Sequence, residues 1–242
     1  MDRAPHPDPS HQNEHHDDHQ AAMAELLDLD AEVLHAYLDE VMGWVAGAVD
    51  RPPERVLDLG AGTGTATLAL ARRFPTARLI ALDISEPMLQ RLRAAARQAG
   101  LEPLVDTVQA DLDAGWPDVA DLDLVWAATS LHHVRDPERV LTEIRSALRP
   151  GALLAVTEMD ATPRYLPDDL GVGRPGLELR LQAAVDALPS GLDTHPDWGP
   201  ALERTGFTLV ERRGFRVDAG DGSLRPVLPA LGPPLPRRDA GR

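Results

Sequence analysis

The sequence predicts an α/β fold: a doubly wound, mainly parallel sheet with helices on both faces. Three observations predict it. From Arg55 onward, short apolar runs alternate with helix-patterned segments. The first run ends in a turn with three alternating glycines, Gly60, Gly62 and Gly64, which opens straight into a helix pattern. Acids stand at or near the ends of the first three runs, Asp58, Asp83 and Asp111. Successive βα units build parallel sheets, and their right-handed crossovers put ligand chemistry at the carboxyl ends of the strands.

The elements follow in order. RVLDLG is a first strand and TATLALARRF its helix; ARLIALDI is a second strand. The helix EPMLQRLRAAARQAG then stops on Gly100. PLVDTVQAD is a third strand, and LDLVWAAT a fourth. DPERVLTEIRSALRPG reads as a helix capped by Asp136 with Pro137 in its first turn, and GALLAVTEMD as a fifth strand. Residues 20–49 carry Leu26, Leu27, Val33, Leu34, Leu38, Val41, Met42 and Val45 at three- and four-residue steps, the mark of a helical cap. Residues 161–176 read as a Gly- and Pro-rich loop, GLELRLQAAVDALP as a helix and FTLVERRGFRV as a sixth strand. Residues 218–242 have no strand or helix pattern and read as a disordered tail. So do residues 1–19, whose five histidines lack a scaffold that would fix a metal's ligands. The domain is therefore expected at residues 20–217, with the ligand-binding core at 55–160 and a substrate-side insert with the last strand at 161–217.

Composition narrows the function. The chain has 242 residues and is 43% hydrophobic, enough for one α/β domain with extensions. There is no cysteine, so no thiolate chemistry, and no apolar run long enough to span a membrane as a helix. The N-terminus lacks the apolar core of a secretory signal, and a cytoplasmic protein is expected. A net charge of −15 disfavours a phosphate backbone as partner.

The glycine turn is not a phosphate cradle of either common kind. The dinucleotide fingerprint needs a third glycine where Thr65 stands, and the triphosphate loop needs a lysine, which the chain lacks. Asp58 leads the loop instead and suits a ligand with a positive amine. The glycines let backbone N–H groups approach a carboxylate. Asp83 can accept both hydroxyls of a ribose, and Asp111 can accept an exocyclic amine such as that of adenine. S-adenosylmethionine has all these parts and no phosphate.

The run VLDLGAGTGT…ALDIS…QADL…LVWAATSLHHV…ALRPGALLAVTE resembles the class I S-adenosylmethionine-dependent methyltransferases over residues 55–160. The resemblance implies a Rossmann-like sheet and a small-molecule methyl acceptor; no metal is expected, and the acidic charge and the lack of a long apolar run argue against nucleic-acid and membrane partners. It implies that Gly60, Ala61, Gly62 and Gly64 hold the methionine moiety, with Asp58 near its amine. It assigns Asp83 to the ribose, Ile84 and Met88 to the ribose or adenine faces, Asp111 and Leu112 to the adenine edge, and Ala127 to the sulfonium. His132 and His133 follow the fourth strand and are candidate catalytic bases, although loop packing or a cofactor contact is the stronger reading of the pair. Glu158 and Asp160 end the fifth strand on the same side, and His195 and Trp198 precede the sixth. One departure stands out. The antiparallel seventh strand usual in such folds has no counterpart here, which suggests an altered C-terminus. Two other functions remain open at this point: a non-catalytic S-adenosylmethionine-binding protein and an NAD(P)-dependent oxidoreductase, the latter opposed by Thr65 and Asp111.

Overall fold

The computed structural model describes residues 35–159, 166–187, 197–217 and 224–227. The chain divides into two compact units, residues 51–208 and residues 1–50 with 209–242. The first unit carries the βα repeats. Its strands are β1 (Arg55–Leu59), β2 (Arg78–Asp83), β3 (Val105–Gln109), β4 (Leu122–Ala128) and β5 (Leu148–Thr157), all parallel in the order β3-β2-β1-β4-β5. The order reverses direction between β1 and β4, and such a switch point leaves a crevice beyond the carboxyl ends.

Burial explains the order. β1 and β4 lie in the centre, and Val56, Leu57, Leu122, Leu124, Val125 and Trp126 have no exposed surface. Strands covered on both faces read as continuous apolar runs, as these do. Helices α2 (Thr65–Arg73), α3 (Glu86–Gln98) and α4 (Pro137–Ala147) supply the covers. Val140, Leu141 and Ile144 of α4 pack with Leu57, Leu59, Ile80, Leu82 and Val125. Leu89 and Leu92 of α3 pack with Ala61 of the turn and with Ala81, which alternates with Ile80 and Leu82 to the other face of β2. Asp136 caps α4 as expected, its Oδ1 accepting from Arg139 N at 3.0 Å, and Ser85 caps α3.

The helix predicted to run to Gly151 ends instead at Ala147, because Pro150 cannot continue it. Leu148 turns extended at φ −80°, ψ 138° and pairs with Leu122, so LRPG opens β5. Beyond β5 lie α5 (Leu177–Asp186) and the short α6 (Gly199–Arg204), the latter without a sequence pattern long enough to announce it.

At the amino edge of the sheet, Asp123 ties three segments together. Its Oδ2 accepts from Glu54 N at 2.9 Å and Arg55 N at 3.0 Å, while Arg51 and Arg149 each reach Oδ1 at 3.1 Å. Burial pushes this carboxyl up, but the two backbone donors and Arg149 outweigh it and hold it below the usual range.

In the second unit, residues 35–48 form helix α1, and β6 (Gly214–Val217) pairs antiparallel with β7 (Leu224–Val227). Phe215 meets Tyr37 and Trp44 edge-on, with ring centroids 6.0 and 5.8 Å apart, and Arg213 lies over its ring. The sixth strand is thus shorter than the predicted 207–217. Leu209 and Val210 alternate like a strand but stand exposed, outside any described strand. A strand also appears at Leu224–Val227, where the sequence shows no strand pattern. Among the described residues neither β6 nor β7 joins the five-stranded sheet.

Candidate active site

The glycine turn lies between β1 and α2 and is pinned to the neighbouring strand. Gly60 N and Ala61 N both donate to Leu82 O, at 2.8 and 2.9 Å. Gly60, Gly62 and Gly64 have φ of 76°, 53° and 97°, in the left-handed region that side chains disfavour. Close packing adds to this. A Cβ on Gly60 would lie 2.5 Å from Ser130 Cβ, in the segment after β4. Gly64 packs in the same way on Leu92 of α3.

Asp83, at the end of β2, is the clamp of the site. Its Oδ2 accepts from Gly62 N and its Oδ1 from Ser85 N, both at 2.8 Å. One carboxylate therefore holds the glycine loop and the start of α3 together. Next to it Ile84 is 62% exposed, an apolar side chain left facing out at the carboxyl edge. Met88, by contrast, is buried within α3. Asp111 lies two residues past β3; it is exposed and its Oδ1 accepts from Asp113 N at 2.9 Å. Leu112 is buried and its carbonyl accepts from Arg139.

Asp58 sits beneath the loop rather than in its mouth. It is 2% exposed, and Thr67 Oγ1 of α2 donates to its Oδ2 at 2.5 Å. Burial pushes its pKa to about 7; the Thr67 hydroxyl opposes the rise and the charge of nearby Asp83 adds to it. Two acids whose charges work against each other would both be relieved by a cation.

The ends of β4 and β5 form the other half of the edge. Ala127 is buried, and Ala128 pairs with Thr157. Thr129 then takes φ 47°, rare for a β-branched residue, with its N–H bonded to Thr157 O at 2.8 Å. The following turn, Leu131–His133, brings His132 Nδ1 to 2.9 Å from Glu158 Oε2. The rings of His132 and His133 lie 4.1 Å apart between centroids. Burial, then the neighbouring His132, lowers the pKa of His133. Burial raises that of Glu158 against the pull of His132 and the nearby Trp198 indole. Asp160 and His195 lie outside the described residues.

Residues 56–151 match a family described as Methyltransferase domain. The core is a class I S-adenosylmethionine-dependent methyltransferase domain. The chain is 35% identical to the malonyl-[acyl-carrier protein] O-methyltransferase of Xylella fastidiosa (strain M23) over 191 residues, covering 76% of this chain and 59% of that one. It is 34% identical to the trans-aconitate 2-methyltransferase of Acidovorax sp. (strain JS42), over 74% of this chain and 64% of that one. It thus spans about three fifths of the length of these curated relatives. A crystal structure of a putative methyltransferase from Bacillus halodurans C-125 superposes with a TM-score of 0.54 at 22% identity, over 74% of this chain and 72% of that one, and shares the fold.

S-adenosylmethionine is the cofactor of such methyltransferases. The structure gathers Gly60, Gly62, Gly64, Asp83 and Ile84 at one edge, and it turns Asp58 and Met88 inward. Thr67, Ser130 and Leu92 complete the loop's support. None carries a signal in sequence, because each acts through a contact made only by the packed helices and strand ends.

Proposed function

We propose that this chain transfers the methyl group of S-adenosylmethionine to a small-molecule acceptor. The observation that carries the reading is the Asp83 clamp. It fixes the glycine loop against the start of α3, with exposed Ile84 beside it. The remaining lone pairs of Asp83 suit ribose hydroxyls, and Ile84 offers an apolar face to adenine. Gly60 and Gly64 let the loop backbone carry the methionine carboxylate, and Asp58 with Asp83 favours the positive amine and sulfonium. This reading assigns Asp111 and the adjacent Leu112 to the adenine edge and Ala127 to the neighbourhood of the sulfonium.

The bound sulfonium supplies an already activated methyl group. What remains for the protein is to align donor and acceptor and to exclude water. The relatives' names refer to malonyl-[acyl-carrier protein] and to trans-aconitate. The strongly acidic chain adds a reason to expect a small acceptor rather than a nucleic acid.

Calorimetry with S-adenosylhomocysteine and with NADH tests the reading. S-adenosylhomocysteine should bind and NADH should not. Asp83→Ala should weaken S-adenosylhomocysteine by about 1–3 kcal/mol, the cost of a lost hydrogen bond to a charged group. Binding of NADH alone would overturn the proposal, and unchanged affinity in Asp83→Ala would remove the ribose assignment.

A further inference from the structure

His132 and Glu158 are an unusual investment for a fold. Their side chains are 11% and 7% exposed, with Nδ1 and Oε2 2.9 Å apart. Glu158 Oε1 is buried as well and makes no hydrogen bond among the described residues. The Trp198 indole lies near enough to favour the ionised carboxylate, yet its Nε1 makes no well-formed bond either. Burying such a carboxylate costs several kcal/mol, and apolar side chains would pack there at least as well. The pair also spans the carboxyl ends of two adjacent strands, on the edge that carries the glycine loop. A costly polar pair at that edge points to chemistry.

We propose that His132 accepts a proton from the methyl acceptor, that Glu158 is the residue that positions it, and that the acceptor is a hydroxyl compound. This rests on the S-adenosylmethionine reading above. Glu158 takes the N–H of Nδ1, which leaves the lone pair on Nε2. The acceptor oxygen forms its bond to the methyl carbon as the carbon–sulfur bond breaks. That bond's electron pair stays on sulfur, so the sulfonium becomes a neutral thioether. The hydroxyl proton passes to Nε2, the imidazolium is held by the Glu158 carboxylate, and the proton then leaves to water. A carboxylate acceptor is already ionised at neutral pH and has no proton for a base to take. Burial and then the neighbouring His132 lower the pKa of His133, whose ring lies 4.1 Å from that of His132, and this disfavours a second cation beside Glu158.

The tautomer of His132 is the direct test. In the full chain saturated with S-adenosylhomocysteine, nitrogen-15 spectra of labelled histidines, assigned with His132→Gln, should show a neutral ring protonated on Nδ1. Glu158→Leu, which replaces the carboxylate by an apolar side chain, should release the ring to the Nε2–H form. Both variants should keep S-adenosylhomocysteine affinity within about twofold, since neither residue lies in the cofactor cradle. Radiolabelled methyl transfer is then measured on aromatic acceptors matched except for a hydroxyl, amino or carboxyl group. Hydroxyl members should be turned over, and His132→Gln should lower kcat on the order of 100-fold with little change in KM. An Nε2–H tautomer in the unaltered protein overturns the proposal whether or not any acceptor reacts. Turnover confined to amines or carboxylates, or an unchanged kcat in His132→Gln, overturns it too. Failure of the unaltered protein to bind S-adenosylhomocysteine would instead remove the cofactor reading on which the proposal rests.

Discussion

Replacing Gly64 by alanine should be among the most damaging single changes in the domain, and the structure shows why. Gly64 begins α2 at φ 97°, where a Cβ costs about 1–2 kcal/mol from backbone contact alone. The added methyl would also overlap Leu92 Cγ and come within 2.9 Å of Cδ1 and 3.1 Å of Cβ. Leu92 has no exposed surface and packs with Ala61, Ala81 and Leu89, so it has nowhere to move. Overpacking of this kind costs about 1–3 kcal/mol. The two contributions together come to about 2–5 kcal/mol, a large part of the roughly 5–15 kcal/mol that holds a domain folded. Urea unfolding followed by circular dichroism measures the loss. Repeating the change in a Leu92→Ala background separates the causes. The overlap with Cγ and Cδ1 is then gone, only the 3.1 Å approach to Cβ is left, and little more than the backbone cost of about 1–2 kcal/mol should remain. A loss below about 1 kcal/mol, or the same loss in both backgrounds, would refute the packing of the loop on α3.

Asp58 should make stability depend on pH. Its pKa rises from 3.8 to about 7 on folding, so the folded state keeps a proton that the unfolded state gives up. Its contribution is complete below about pH 4 and is lost as pH climbs to about 7, a fall of up to about 4 kcal/mol. Asp58→Asn can keep the Thr67 bond without titrating, so its urea stability should stay flatter over that range; parallel curves for the two proteins would count against the buried acid. Asp123→Ala should cost about 2–4 kcal/mol at pH 7, because it strands the backbone N–H groups of Glu54 and Arg55 and leaves Arg149 only the more distant Glu54 carboxylate at 3.5 Å. The depressed pKa of Asp123 means that this difference between the two proteins should shrink as pH falls below about 4, a shift that acid titration of both would detect.

The sheet was legible because its evidence is local. Each strand of the core announces itself by an apolar run, and each following helix by its own period, a cap or a stop. The parts that were misjudged are those settled by distant partners. LRPG continues a helix pattern until Leu148 finds Leu122 on β4. FTLV alternates as a strand should, yet the described strand starts only at Gly214, where Phe215 meets Tyr37 and Trp44. Nothing in the alternation at Leu209 and Val210 says whether a neighbouring strand is there to pair with.

The site divides along the same line, and the division has a chemical reason. The residues expected to hold the cofactor lie within a few positions of a strand end, because a cofactor bound across the switch point is met by one short turn after another. Asp83 is the instructive case. Its place at the end of β2 was readable, but its hold on Gly62 was not, since that depends on the β1–β2 register. The acceptor side has no such local code. His132 and Glu158 are 26 positions apart and meet only because β4 and β5 lie parallel with Ala128 opposite Thr157. A histidine after a strand is a weak signal by itself, and packing is an adequate reason for it. A histidine whose Nδ1 faces a buried carboxylate is a different object, since the partner decides which nitrogen can take a proton. The cofactor could therefore be read from the order of the residues. The acceptor chemistry became readable only once the parallel register had set one side chain against the other.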